Sequence, residues 1–108
     1  MEALTVAKHI ERIILALVDE GKLSKDLIEA KAKTAAAYDK SMGTKTAALK
    51  AAGKPTTLIK DLAKRDASEE LYTKIVAEES LKIHFSRMDT LKAQLNGYQS
   101  IYRHLDST

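Results

Sequence analysis

Gly53-Lys54-Pro55-Thr56-Thr57-Leu58-Ile59-Lys60-Asp61-Leu62-Ala63-Lys64-Arg65-Asp66 is the stretch on which the fold turns. Gly53 reads as a helix stop, and Pro55 biases Lys54 away from helical backbone. Thr56 or Thr57 can cap a fresh short helix whose apolar residues are Leu58, Ile59 and Leu62. Asp66, with Glu69 three positions on, resembles a capping box that opens a further helix. The stretch is a punctuated corner between long helices.

On its C-terminal side, Leu71, Ile75, Glu78, Leu81, Phe85, Met88, Leu91, Leu95, Tyr98, Tyr102 and Leu105 recur at close to helical spacing, with Val76 and Ile83 widening the stripe. The spacing predicts a helix over 67–105, about 60 Å long at 1.5 Å per residue, which Asn96-Gly97 can interrupt. On the N-terminal side, Ser24 is a good N-cap and Asp26 suits the first turn, which predicts a helix over 25–52. Ile28, Lys31, Ala35, Tyr38, Met42, Lys45, Leu49 and Ala52 alternate steps of three and four, a heptad seam. Gly43, inside Ser41-Met42-Gly43-Thr44, leaves both a break and a continuous helix open. Val6, Ile10, Ile13, Ile14, Leu17 and Val18 predict an N-terminal helix over 5–20, with Gly21 at the left-handed position past its end. The short helix of the corner covers 57–65.

The expected fold is therefore all-α and a single domain over 1–108. It is a long antiparallel helical hairpin with coiled-coil-like packing, a short helix at the turn and an additional N-terminal helix. The apolar first helix and the long last seam exceed what one chain covers, so a homo-oligomer, a dimer or higher, is expected.

Composition agrees with this class. The aromatic share is 5%, with a single Pro and four Gly in 108 residues, too little turn chemistry and aromatic bulk for a β-sandwich. Absence of Cys removes disulfides, thiolate metal sites and cysteine nucleophiles, and fits a reducing cytoplasm. No apolar run approaches the roughly 18–20 residues of a membrane span, and the start does not read as a signal peptide. No membrane association is expected.

Catalytic constellations are missing. His9, His84 and His104 stand alone, without a second ligand one turn away, and read as surface or interface histidines. Adjacent carboxylates at Asp19-Glu20, Glu69-Glu70 and Glu78-Glu79 point about 100° apart on a helix and do not converge. Glu78 lies on the apolar stripe and is expected to pair with Lys31 or Lys45 of the other seam. Gly53-Lys54 lacks the earlier glycine and the strand of a phosphate loop. No enzyme, metal or cofactor is predicted.

Charge is distributed unevenly. From Lys31 to Arg65 nine basic residues face two acids, a charge of +7, while the whole chain carries +3, so the remainder sums to −4. Around the corner, Lys50, Lys54, Lys60, Lys64 and Arg65 surround a helix start at Thr56 and Thr57, where free backbone N–H groups suit a phosphate. These seven residues are the candidate site for a nucleic-acid backbone or an acidic protein surface, against the alternative of a lysine-solubilised tip. In the first case Leu58, Ile59 and Leu62 point inward and the basic residues outward. No aromatic is present to stack a base.

The same stretch resembles small uncharacterised proteins of bacteriophages and prophages of Gram-positive bacteria. In them a long Ala/Lys/Glu-rich helix meets a Gly-Lys-Pro-x-Thr-Leu-Ile-Lys-Asp-type turn, then a second long helix ending in Leu, Tyr and Arg. The resemblance covers roughly residues 25 to 105, with Arg65 where the pattern has Gly. It carries no catalytic activity. Its genes lie near early-region replication and recombination functions. The resemblance implies an accessory role on phage DNA or on a host machine in the host cytoplasm; the alternative function class is a protein-binding inhibitor or modulator of a host enzyme or defence nuclease that uses charge complementarity and helical surfaces.

Overall fold

The computed structural model describes residues 2–107. Among them are three helices and no strand: α1 (Ala3–Ala51), α2 (Thr56–Asp66) and α3 (Ser68–Asp106). The protein is all-α, as the periodicity predicts. No helix among the described residues is long and apolar enough to cross a membrane.

The main departure lies at the N-terminus. The expected separate helix over 5–20 and its successor are one helix, α1, of 49 residues. Gly21 does not adopt the left-handed backbone of a helix stop; among the described residues only Gly53 has positive φ. Glycine inside a helix costs about 1 kcal/mol relative to alanine, less than tertiary packing on either side returns. Gly43 and Gly97 likewise lie inside α1 and α3, which resolves both open alternatives in favour of continuity.

The chain divides into two compact units. One comprises the chain up to Lys25 together with the chain from Lys82 on; the other is Asp26–Leu81. In the first, α1 and α3 run antiparallel: the His9 and Tyr98 rings stack at 4.9 Å, and Glu20 and Ser24 meet His84. Val6 and Ile13 are buried there, and Met88, Leu91, Leu95, Tyr98, Tyr102 and Leu105 of α3 are half-buried. In the second, α1 and α3 again pair, with Lys74 Nζ 5.2 Å from the centre of the Tyr38 ring. Its buried core is Ile59, Ala63, Ala67 and Leu81.

Heptad spacing holds in the predicted phase over most of α3, where Leu71, Leu81, Met88, Leu91, Leu95, Tyr98, Tyr102 and Leu105 are buried or half-buried and Ile75 and Phe85 depart. Half-buried or buried positions of α3 run Lys74, Leu81, Met88, Leu95, Tyr102 and Ala77, His84, Leu91, Tyr98, Leu105, each set seven apart. Lys74 and His84 therefore hold seam positions that apolarity assigned to Ile75 and Phe85, which are 46% and 44% exposed. Val76 and Ile83, expected to widen the stripe, are also largely exposed. On α1 the seam passes through Leu27, Ala30, Thr34 and Tyr38, and of the predicted seam Ala35, Tyr38, Met42, Lys45 and Leu49 are half-buried, whereas Ile28 and Lys31, and Ala52 just past the helix, are exposed. Glu78 pairs with Lys74 at 3.4 Å, one turn back on its own helix, rather than with Lys31 or Lys45. Lys31 lies outside the seam, and an i,i+4 partner needs no register.

Candidate nucleic-acid interface

The basic corner lies wholly within the second unit. α1 closes in a Schellman arrangement: Lys54 N–H donates to the Leu49 carbonyl at 3.1 Å and Gly53 N–H to the Lys50 carbonyl at 3.0 Å. Gly53 has φ +73°, the left-handed backbone that a side chain strains, so it is the helix stop the sequence predicts. Pro55 takes the position before α2, at φ −57° and ψ 132°, without a side-chain capping bond. Thr56 and Thr57 are thus the first residues inside the helix and not its caps. The proline ring fixes the backbone that leads into the first turn, so the chain enters helix one residue earlier than a threonine cap requires.

Packing of α2 sorts its side chains. Ile59 and Ala63, one turn apart, are buried, and Leu62 beside them is half-buried. Leu58, expected inward, is 50% exposed. It sits about 100° round the helix from the Ile59–Ala63 line, at the flank of a short helix that covers its neighbours with one side only. On the opposite flank Thr56, Lys60 and Lys64 follow at one-turn spacing, and Thr57, Asp61 and Arg65 form the next row outward.

A cavity of about 300 Å³ lined by Met42, Thr46, Lys50, Thr56, Ile59 and Lys60 brings three of the seven candidate residues together across α1 and α2. Lys64 extends that row and Lys54 stands exposed in the turn. Lys50, Lys54, Lys60 and Lys64 make no ion pair among the described residues. Arg65 differs, because its Nε and Nη2 donate to the Asp66 carboxylate at 3.3 Å each, and Asp61 shares its row. Thr57 stands in that partly neutralised row. The free positive charge is therefore concentrated on the lysine side, where Lys50 and Lys60 line the cavity together with the apolar Met42 and Ile59.

A second polar group escapes the sequence reading. In the first unit Ser24 Oγ lies 2.7 Å from His84 Nε2, His84 Nδ1 lies 2.8 Å from Glu20 Oε2, and Arg87 Nη1 donates to Glu20 Oε1 at 3.1 Å. His84, read as a surface or interface residue, is 2% exposed. Nδ1–H donates to the carboxylate, and Nε2 is within hydrogen-bond distance of the Ser24 hydroxyl, which also reaches Met88 Sδ at 4.0 Å. The bond from Arg87, followed by that from His84, holds the Glu20 carboxyl below its ordinary range. Serine, imidazole and acid stand in the order of a nucleophile, base and orienting group. However, Ser24 lies in mid-helix, where the backbone N–H groups that oxyanion stabilisation needs are committed to α1. The cluster distinguishes this helix register from its neighbours, since sliding α3 by one heptad replaces His84 with Leu91 or Ala77 opposite the Glu20 charge. Its signal was in the sequence: residues three past Leu81, Met88, Leu95 and Tyr102 form one seam row, and His84 is the first of them.

Among the described residues no group of three His, Cys, Asp or Glu is placed to hold a metal ion. No family model matches the sequence, and no curated protein or solved structure matches it either.

Proposed function

We propose that the protein is a non-enzymatic accessory factor that grips a nucleic-acid backbone through the corner between α1 and α2. It serves phage-type DNA transactions in a host cytoplasm, as the turn motif implies. The observation that carries the proposal is the set of four exposed lysines, Lys50, Lys54, Lys60 and Lys64, unpaired among the described residues and gathered about one turn in a segment of charge +7. Phosphates displace condensed counterions when lysines neutralise them, so affinity for duplex DNA is expected to fall log-linearly with salt. Four contacts give a slope near −3.6, about −0.9 per phosphate, with little sequence preference. Replacing the four lysines by alanine is expected to remove most of both the affinity and the slope. Salt-independent binding, or binding unchanged in the quadruple variant, overturns the proposal.

A second reading rests on the cavity beside those lysines. Its floor of Met42 and Ile59 beneath Lys50 and Lys60 suits an acidic protein surface that inserts one apolar side chain. That partner is a host enzyme or defence nuclease which the protein inhibits or modulates. Under this reading one host protein is captured at physiological salt, Met42→Asp abolishes capture, and DNA binding is weak.

A further inference from the structure

The outer side of α1 in the first unit carries a pattern that the basic corner does not explain. Leu4, Lys8, Glu11 and Leu15 step by four, three and four, so they share one helical face, and all are exposed. Each stands two residues, about 200° of helix, from Val6 or Ile13, the buried line that faces α3. Leu4 is 65% and Leu15 58% exposed, with Ile14 and Val18 beside them at 44% and 51%. The order along the stripe is apolar, basic, acidic, apolar. Turned end for end against itself, it sets Lys8 opposite Glu11 and Leu4 opposite Leu15, twice over.

We infer that the occupant of this face is a second copy of the chain, docked antiparallel and two-fold symmetric through Leu4, Lys8, Glu11, Ile14, Leu15 and Val18. Self-complementary charge order is what an isologous contact requires, because each residue meets its mate's counterpart about one axis. The inference does not rest on nucleic-acid binding, which is assigned to the other unit.

Sedimentation equilibrium of the full chain, from one to one hundred micromolar, tests it. A concentration-dependent dimer is expected, and Leu15→Glu is expected to weaken it at least about tenfold, with helicity by circular dichroism unchanged. Charge exchange supplies the independent arm. Lys8→Glu and Glu11→Lys each place like charges across the axis twice and are expected to weaken the dimer about tenfold. The double exchange is expected to restore it to within about threefold of the original. A strict monomer at one hundred micromolar overturns the inference, as does a dimer indifferent to the single exchanges or not rescued by the double. If Leu15→Glu unfolds the chain, the charge-exchange set, which changes no apolar residue, decides.

Discussion

The His84 cluster and the basic corner use similar side chains to opposite ends. In the first unit the Glu20 carboxylate bridges His84 at 2.8 Å and Arg87 at 3.1 Å, and the imidazole is almost wholly buried. In the second unit Lys50, Lys54, Lys60 and Lys64 crowd about a turn with no opposite charge bound among the described residues. Desolvated groups bonded to each other discriminate between helix registers but offer little to a ligand. Solvated like charges contribute little to folding and retain their attraction for an external anion. The difference separates residues that specify the fold from residues free to act.

The largest expected effect breaks the first half of that contrast. His84→Ala leaves Ser24 and one oxygen of Glu20 without their partner and opens space at a buried seam position. A loss of about 3 kcal/mol in urea-induced unfolding is expected. Duplex-DNA affinity, proposed for the other unit, is expected to stay within twofold wherever the variant remains folded. The cluster also carries a pH dependence of definite sign. Glu20 titrates below its ordinary value when folded, so its contribution is full above that value and is lost as pH falls through the lowered one. Glu20→Gln is expected to flatten the acid limb of the stability–pH curve, and an unchanged limb assigns acid sensitivity to other carboxylates.

Much of this architecture is legible in the sequence, and the departures share one cause. Gly53 and Pro55 marked the corner because the left-handed backbone and the fixed proline φ are properties of single residues. The heptad repeat of α3 was equally plain. Only Ile75 and Phe85 depart from it, because apolarity favours them over Lys74 and His84, whose seam positions depend on partners tens of residues away. Gly21 misled for a related reason, because local propensity is overridden when flanking turns are packed. At the candidate site the charges were evident, whereas the gathering of Lys50, Thr56 and Lys60 about one cavity depends on how α2 lies against α1.

A smaller effect sharpens the corner's internal division. Ile59 is 6% exposed, whereas Leu62, equally expected to point inward, is only half-buried. Ile59→Ala is expected to cost about 2–3 kcal/mol and Leu62→Ala about half as much, read from denaturant midpoints. Equal losses locate the anchor on both residues.

Glycines give a third comparison, near 1 kcal/mol. A Cβ at Gly21 meets nothing within 4 Å and the backbone there is helical, so Gly21→Ala is expected to stabilise by about 0.5–1 kcal/mol. At Gly53 the surroundings are equally open, but φ is +73°. Gly53→Ala is expected to destabilise by about 1 kcal/mol through backbone strain alone. Thermal melts of the pair read opposite signs from the same substitution.

The smallest expected change in stability belongs to the residues expected to matter most for binding. Lys50, Lys54, Lys60 and Lys64 are exposed and make no ion pair among the described residues, so replacing all four by alanine removes no internal attraction. Alanine favours helix at least as well as lysine at positions 50, 60 and 64, and relief of mutual repulsion acts in the same direction. The quadruple variant is therefore expected to unfold within about 0.5 kcal/mol of the parent, or slightly above it, while losing its salt-sensitive hold on DNA. A stability loss like that of His84→Ala assigns these lysines to the fold, and the contrast between the two regions fails.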